Sequence, residues 1–149
     1  MADQREMFHI AYVSRREARL TEEQIVEGIV LPSMRKNRKL ELSGCIWFDS
    51  NFFLQVLEGA KPDLMGLYER IKEDRRHHSI RVFSAQAIEQ RDFQRFSMRL
   101  IGREAPTAVH DIISRYEAEL EFQPLQNDQV IECDVVVRRL ITEISTQIA

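Results

Sequence analysis

The chain opens with an alternating stretch, residues 7–13 (MFHIAYV). Phe8, Ile10 and Tyr12 fall on one side and Met7, Ala11 and Val13 on the other, the two-residue period of a strand. Thr21 then precedes Glu22, Glu23 and Gln24. Thr-x-x-Gln predicts a capping box, with Ile25, Ile29 and Val30 as the helical stripe behind it. Pro32 falls inside that pattern and predicts a kink or break. The helix is expected to end near Asn37 or Arg38. Residues 40–48 (LELSGCIWF) and 52–58 (FFLQVLE) read as a strand pair around the turn residues Asp49-Ser50-Asn51, with Gly59 ending the second strand. Pro62 suits a first helical turn, and Leu64, Leu67, Tyr68 and Ile71 give that helix an apolar face to about Glu73. Residues 80–88 and 94–101 read as two more strands.

The order β-α-β-β-α-β-β predicts a ferredoxin-like α+β sandwich: a mixed five-stranded sheet with two helices on one face. The tail is different. Residues 105–121 have helical spacing through Val109, Ile112, Ile113 and Tyr116. Pro124 and Asn127 interrupt it, and residues 128–148 resume it, although the β-branched run Val135-Val136-Val137 is a weaker helix former. The expected division is 1–101 as the core domain and 102–149 as a C-terminal helical extension, packed where it can cover the open sheet face.

Composition narrows the class. Of the 149 residues, 44 % are hydrophobic and 30 % charged, which excludes a disordered or collagen-like chain. The net charge of −3 argues against a general nucleic-acid binder. No apolar run approaches the roughly 18 residues of a membrane span, and residues 1–6 carry no signal-peptide core. The two cysteines, Cys45 and Cys133, form no CxxC and suggest a reduced compartment. These features point to a cytoplasmic chain.

Familiar catalytic signatures are missing: there is no GxGxxG, P-loop, GxSxG or HExxH. His77 and His78, being adjacent, cannot easily share a metal, and a solvated helix-to-strand turn explains them better. Arg75-Arg76-His77-His78 is either a charged surface turn or a contact to an anionic or carbonyl-rich ligand. Gln55 is more unusual. It shares a strand face with Phe53 and Leu57, where a buried amide must find partners or cost about 1–3 kcal/mol. Tyr12 also lies in an apolar row. Taken one at a time, Tyr12 is an ordinary core tyrosine, Asn37 a helix cap and Met98 a core filler.

Taken together, these residues resemble one family, the BLUF domains, which sense blue light with a bound flavin. Tyr12-Val13-Ser14 closes the first strand, Ser33 and Asn37 sit at the helix end, and Leu42-Ser43-Gly44 leads into the second strand. Residues 53–59 (FLQVLEG) look like the family's F-x-Q-x-L-E-G. Asp74-Arg75-Arg76-His77 looks like its D-x-R-H, and Arg91-Asp92-Phe93 before Phe96-Ser97-Met98 looks like its R-x-F-x-x-W-x-M. The likeness spans about residues 7–101.

The resemblance implies non-covalent FAD between the two helices, with Tyr12 as electron and proton donor. It implies that Gln55 bridges the Tyr12 hydroxyl and the flavin N5/O4 edge and that Asn37 bonds the pyrimidine side. Asp74 and Arg76 would complete the polar rim, and Ser33 and Met98 would shape the pocket. A Gln amide has a donor end and an acceptor end, so it can serve such an edge in two arrangements. Two positions depart from the pattern. Phe96 stands where many members have Trp, and Trp47 does not replace it in sequence. Lys36 precedes Asn37 and either reaches a ligand phosphate or faces water.

The reading is thus a short photoreceptor rather than an enzyme, signalling through the last strand and the C-terminal helices. Homo-oligomers and an unidentified protein effector are expected partners. The alternative is a ferredoxin-like interaction or regulatory module without photoactive flavin. A small phosphatase on the same architecture ranks below both, because Ser14-Arg15-Arg16 lacks the glycines of a phosphate cradle.

Overall fold

The computed structural model describes residues 6–93, 97–101, 106–122 and 134–147. Strand β1 runs Met7–Arg16, β2 Ser43–Phe48, β3 Phe52–Ala60, β4 His77–Ala87 and β5 Arg99–Leu100. They form one sheet in the order β4-β1-β3-β2-β5. β1 is antiparallel to β3 and β4, and β2 is antiparallel to β3 and parallel to β5. This is the mixed five-stranded ferredoxin-like sheet that the pattern predicts. The Asp49 carboxylate accepts from the amides of Asn51 and Phe52, both at 2.8 Å, and closes the β2–β3 turn.

Alternation along the strands sorts side chains to two faces. Ile10, Tyr12, Ile46, Phe53 and Leu57 meet the helices α1 (Glu22–Ile25), α2 (Leu31–Lys39) and α3 (Lys61–Lys72) through Ile25, Met34, Leu64 and Tyr68. Ala11, Val13, Cys45, Trp47, Val56 and Phe83 meet α4 (Thr107–Phe122) and α5 (Asp134–Gln147) through Val109, Ile112, Tyr116 and Leu140. The C-terminal helices therefore cover the sheet face that the sequence leaves open. All of β3 is buried because it is the middle strand and both its faces are covered.

Several boundaries differ from expectation, each for a local reason. β2 begins at Ser43 rather than residue 40, because the chain must reverse after α2. Leu42 donates its amide to the Asn37 carbonyl at 2.7 Å, and Glu41 takes a left-handed φ of 55°. β3 runs through Gly59 to Ala60, and β4 begins at His77. β4 carries a register shift against β1 around Ser79, whose φ is 57°. The Tyr116 hydroxyl donates to the Ser79 carbonyl at 2.6 Å and ties α4 to that bulge. β5 is two residues long; residues 94–96 and 123–133, where the pattern continues a strand and starts a helix, lie outside the described residues.

Pro32 acquires a structural reason. It has no N–H for the Gly28 carbonyl four residues earlier. The helix absorbs this by widening into a π turn over Val26–Val30, with Leu31 donating to the Val26 carbonyl. Arg76 Nη1 donates to the Gly28 carbonyl at 2.9 Å. Thr21 and Gln24 form the expected capping box at the start of α1.

Candidate functional site

Tyr12 and Gln55 are direct partners across the β1–β3 ladder, on the face toward α1–α3. The Tyr12 hydroxyl donates to Gln55 Oε1. Gln55 Nε2 in turn points at Met98 Sδ, 3.7 Å away. All three side chains are buried, Gln55 to 5 % exposure. Gln55 is thus an interior amide on the middle strand, not a solvated edge residue. Burial, aided by the nearby Tyr68 and Asp74, pushes the Tyr12 hydroxyl well above the ordinary tyrosine range and keeps it a neutral donor.

A cleft between α2 and α3 opens over Gln55. It holds about 640 Å³ of empty space, counting its open mouth. Ser33, Lys36 and Asn37 line one wall, Leu67, Arg70 and Ile71 the other, and Asp74 and Arg76 the rim. Asn37 is buried and donates its amide to the Ser97 carbonyl at 2.8 Å, so it ties α2 to the approach of β5 as well as lining the cleft. Asp74 accepts from Arg76 Nε at 2.9 Å and Nη2 at 2.5 Å. This fork holds the Asp74 carboxyl below the usual carboxylate range. The same guanidinium reaches Gly28, so one arginine links the π turn to the rim.

The structure brings together all seven residues singled out in the sequence: Tyr12, Ser33, Asn37, Gln55, Asp74, Arg76 and Met98. Lys36 also faces the cleft. Phe96 lies outside the described residues. Trp47 packs on the opposite sheet face, in the core with α4 and α5.

His77 corrects the sequence reading. It is not in a solvated turn but opens β4, with Nε2 2.7 Å from the Ile71 carbonyl and Nδ1 2.7 Å from Ser14 Oγ. A carbonyl only accepts, so Nε2 carries the proton and Nδ1 accepts from Ser14. Its ring centroid lies 6.3 Å from that of Tyr12, and burial lowers its pKa. His77 lines a second, smaller cleft beside Asp74 and Arg76 with Ile29 and Phe53. No pattern in the sequence separates it from exposed His78.

The family model described as "Sensors of blue-light using FAD" matches residues 7–99, well over half of the chain. This chain belongs to the BLUF family. A 68-residue stretch is 28 % identical to the photoactivated adenylate cyclase subunit beta of Euglena longa, covering 46 % of this BLUF chain and 8 % of that protein. Among solved structures, "BlrB - a BLUF protein, dark state structure" covers 97 % of this chain and 99 % of its own, with a TM-score of 0.71 at 23 % identity. "BlsA photo-activated state" covers 93 % and 94 %, with a TM-score of 0.71 at 24 % identity. Both share the fold. The family makes this chain a blue-light sensor that uses FAD and favours that reading over a flavin-free interaction module.

The BLUF residues present fit such a cofactor. Gln55 Nε2 is a buried amide donor whose acceptor among the described residues is a thioether sulfur, a weak one. Ring acceptors would satisfy it better. Lys36 and Arg70 place two cations on the cleft wall, a charge that would suit a phosphate.

Proposed function

We propose that this chain senses blue light through the Tyr12–Gln55 pair and passes the change through β5 to the C-terminal helices. The observation that carries the proposal is the buried Tyr12 hydroxyl donating to Gln55 Oε1, with Gln55 Nε2 left on a weak acceptor beside the cleft. Bound FAD supplies blue-light absorption and, once excited, a place for one electron. Ser33, Asn37, Asp74 and Arg76 would hold and orient it, and Lys36 and Arg70 would supply positive charge for its phosphates.

Burial keeps the resting Tyr12 phenol from ionising, but a phenol that has lost an electron is strongly acidic. Its proton then moves along the existing hydrogen bond to Gln55 Oε1. The amide, protonated on oxygen, can then turn while keeping the proton it gained. When the electron returns to Tyr12, the phenol recovers its proton from the amide group. Gln55 is left rotated or tautomerised, with donor and acceptor ends exchanged. In a buried network such an exchange is felt by each neighbour, Met98 first.

Met98 precedes β5, and the chain continues from there to α4. We infer that residues 102–149 are the output and assembly element and that the protein acts in the cytoplasm without catalysis of its own. The chain spans 36 % of the bacterial light-regulated adenylyl cyclase it resembles in fold. A separate effector protein, contacted by a homo-oligomer of this chain, is the reading we favour, with no membrane or direct nucleic-acid target. Light must alter the populations of two states that the effector binds unequally.

The test is the visible spectrum of the purified protein, dark and under blue light. A flavin spectrum that shifts slightly to the red and recovers in the dark is expected. A flavin spectrum that does not move under illumination, or a colourless protein that refuses added FAD, would sink the proposal.

A further inference from the structure

Glu58 lies three residues after Gln55 on β3 and faces the opposite side of the sheet, so it takes no part in the cleft. It is a carboxylate with 0 % exposure. A buried charge of this kind must be fully hydrogen-bonded. Its donors are specific. Ser43 Oγ donates to it at 2.8 Å, the Phe93 amide to Oε1 at 2.6 Å and the Asp92 amide to Oε2 at 2.9 Å. Arg91 Nη1 donates to Ser43 Oγ at 2.9 Å and closes the cluster. Two of the three bonds to the carboxylate thus go to backbone amides outside the sheet.

Those amides belong to the segment that carries the chain from β4, at one edge of the sheet, to β5, at the other. β5 pairs with β2 through only Arg99 and Leu100, and Ile101 adds one amide bond to the Ile46 carbonyl at 2.8 Å. So short a parallel pairing cannot fix its own register. Yet the register decides whether Met98 sits on Gln55. Phe93, five residues before Met98, is pinned by Glu58 to the middle strand and buried at the far face.

We propose that Glu58 is a positioning residue for Met98: by holding the Asp92 and Phe93 amides, it sets, together with the Asn37–Ser97 bond, the β5 register that places the thioether against Gln55. The inference rests on Gln55 being the switching group. Fixing Met98 restricts the room in which the amide turns, so Glu58 governs the barrier for the return to the dark state from the sheet's other face.

Glu58→Gln tests this, because an amide offers one acceptor oxygen where the carboxylate offers two. The protein with bound FAD should keep its flavin and its red shift but recover in the dark at least about fivefold faster. In a Met98→Ala background the same substitution should change recovery less than about 1.5-fold, the non-additivity expected of coupled residues. Recovery of Glu58→Gln within about twofold of the parent, or an equal effect with and without Met98, would overturn the assignment. If Glu58→Gln does not fold, Ser43→Ala removes one contact and should accelerate recovery about twofold, again only when Met98 is present. No acceleration in Ser43→Ala would then overturn the assignment. A parent protein without any light-induced shift would count against the photosensor reading itself and not against the position of β5.

Discussion

The two faces of the sheet are built from the same strands but use polar groups in opposite ways. On the face toward α1–α3, Tyr12, Asn37 and Gln55 are buried together and line or underlie a cleft, with a thioether as the only acceptor for Gln55 Nε2 among the described residues. On the face toward α4 and α5, the core is Val13, Cys45, Trp47, Val56 and Phe83, and Glu58 is fully engaged by its donors. One face leaves hydrogen-bonding capacity for a guest, and the other satisfies its buried carboxylate from within the protein. Arg81 is the exception on this second face. It has 0 % exposure and donates from Nη1 to the Ile80 carbonyl at 2.6 Å, while Nε and Nη2 have no hydrogen-bond partner among the described residues.

The largest test of this contrast removes one covering layer. A chain ending at residue 101 would uncover the apolar far face, because Val109, Ile112, Tyr116 and Leu140 all belong to that core. Each fully buried side chain of this size is worth about 1.5–3 kcal/mol, and four approach the roughly 5–15 kcal/mol that holds a domain folded. The truncated chain should aggregate or lose its cooperative thermal transition. A soluble truncation with an unchanged melting temperature would show that the tail is an appendage and not the cover of that face.

Next in size is the open face. Tyr12→Phe removes the proton donor and Gln55→Leu removes the group that accepts it, while most of each side chain's packing stays. Both variants should bind flavin and lose the red shift completely in light-minus-dark spectra. A normal shift in either variant would remove that residue from the switch and leave the two faces distinguished by packing alone.

Arg81→Met then probes the exception. A buried guanidinium with two donor nitrogens unpartnered among the described residues costs stability, and a flexible apolar side chain of similar reach has nothing to satisfy. The variant should be more stable by about 1–3 kcal/mol, read as a higher urea midpoint at an unchanged m-value. A loss of stability would mean that the charge is balanced on that face after all.

How much of this was legible in the sequence follows the range of the interactions involved. The β1 alternation, the Thr21 capping box, the Asp49 turn and Pro62 in the first turn of α3 are local, and the residues alone reveal them. Gln55 was legible as a polar residue in an apolar strand. Glu58 stands in the same strand on the same grounds, and that signal could have found it. The π turn was not legible, because Pro32 announces a defect but not that Arg76, distant in sequence, would occupy Gly28. Asn37 reads as a cap, and the Asn37 carbonyl does serve the turn after α2, but only the fold brings its amide to Ser97. Among the described residues of the expected fifth strand only Arg99 and Leu100 pair, because Met98 and Ile101 serve packing instead. Trp47 is the reverse case: its strand was clear, and only the register assigns it to the face away from the cleft.

His77 gives the smallest effect and the finest distinction, since it belongs to the open face and yet is fully engaged. Its ring packs against Tyr12 and Phe53, and its two nitrogens serve Ile71 and Ser14. Burial lowers its pKa below the unperturbed 6.5. A protonated ring would also lose its acceptor nitrogen and meet Ser14 with a second donor. The folded chain therefore binds this proton less readily than the unfolded chain does. Stability should fall as the pH drops below about 6.5, until the lower folded-state pKa is passed, and no further loss from this group should follow below it. The melting temperature of the parent should decline between pH 7 and pH 5.5 more steeply than that of His77→Gln, whose amide still offers one donor and one acceptor. Equal slopes would show that His77 does not sense the proton, and that polar groups on the open face are insulated from solvent as completely as those on the opposite one.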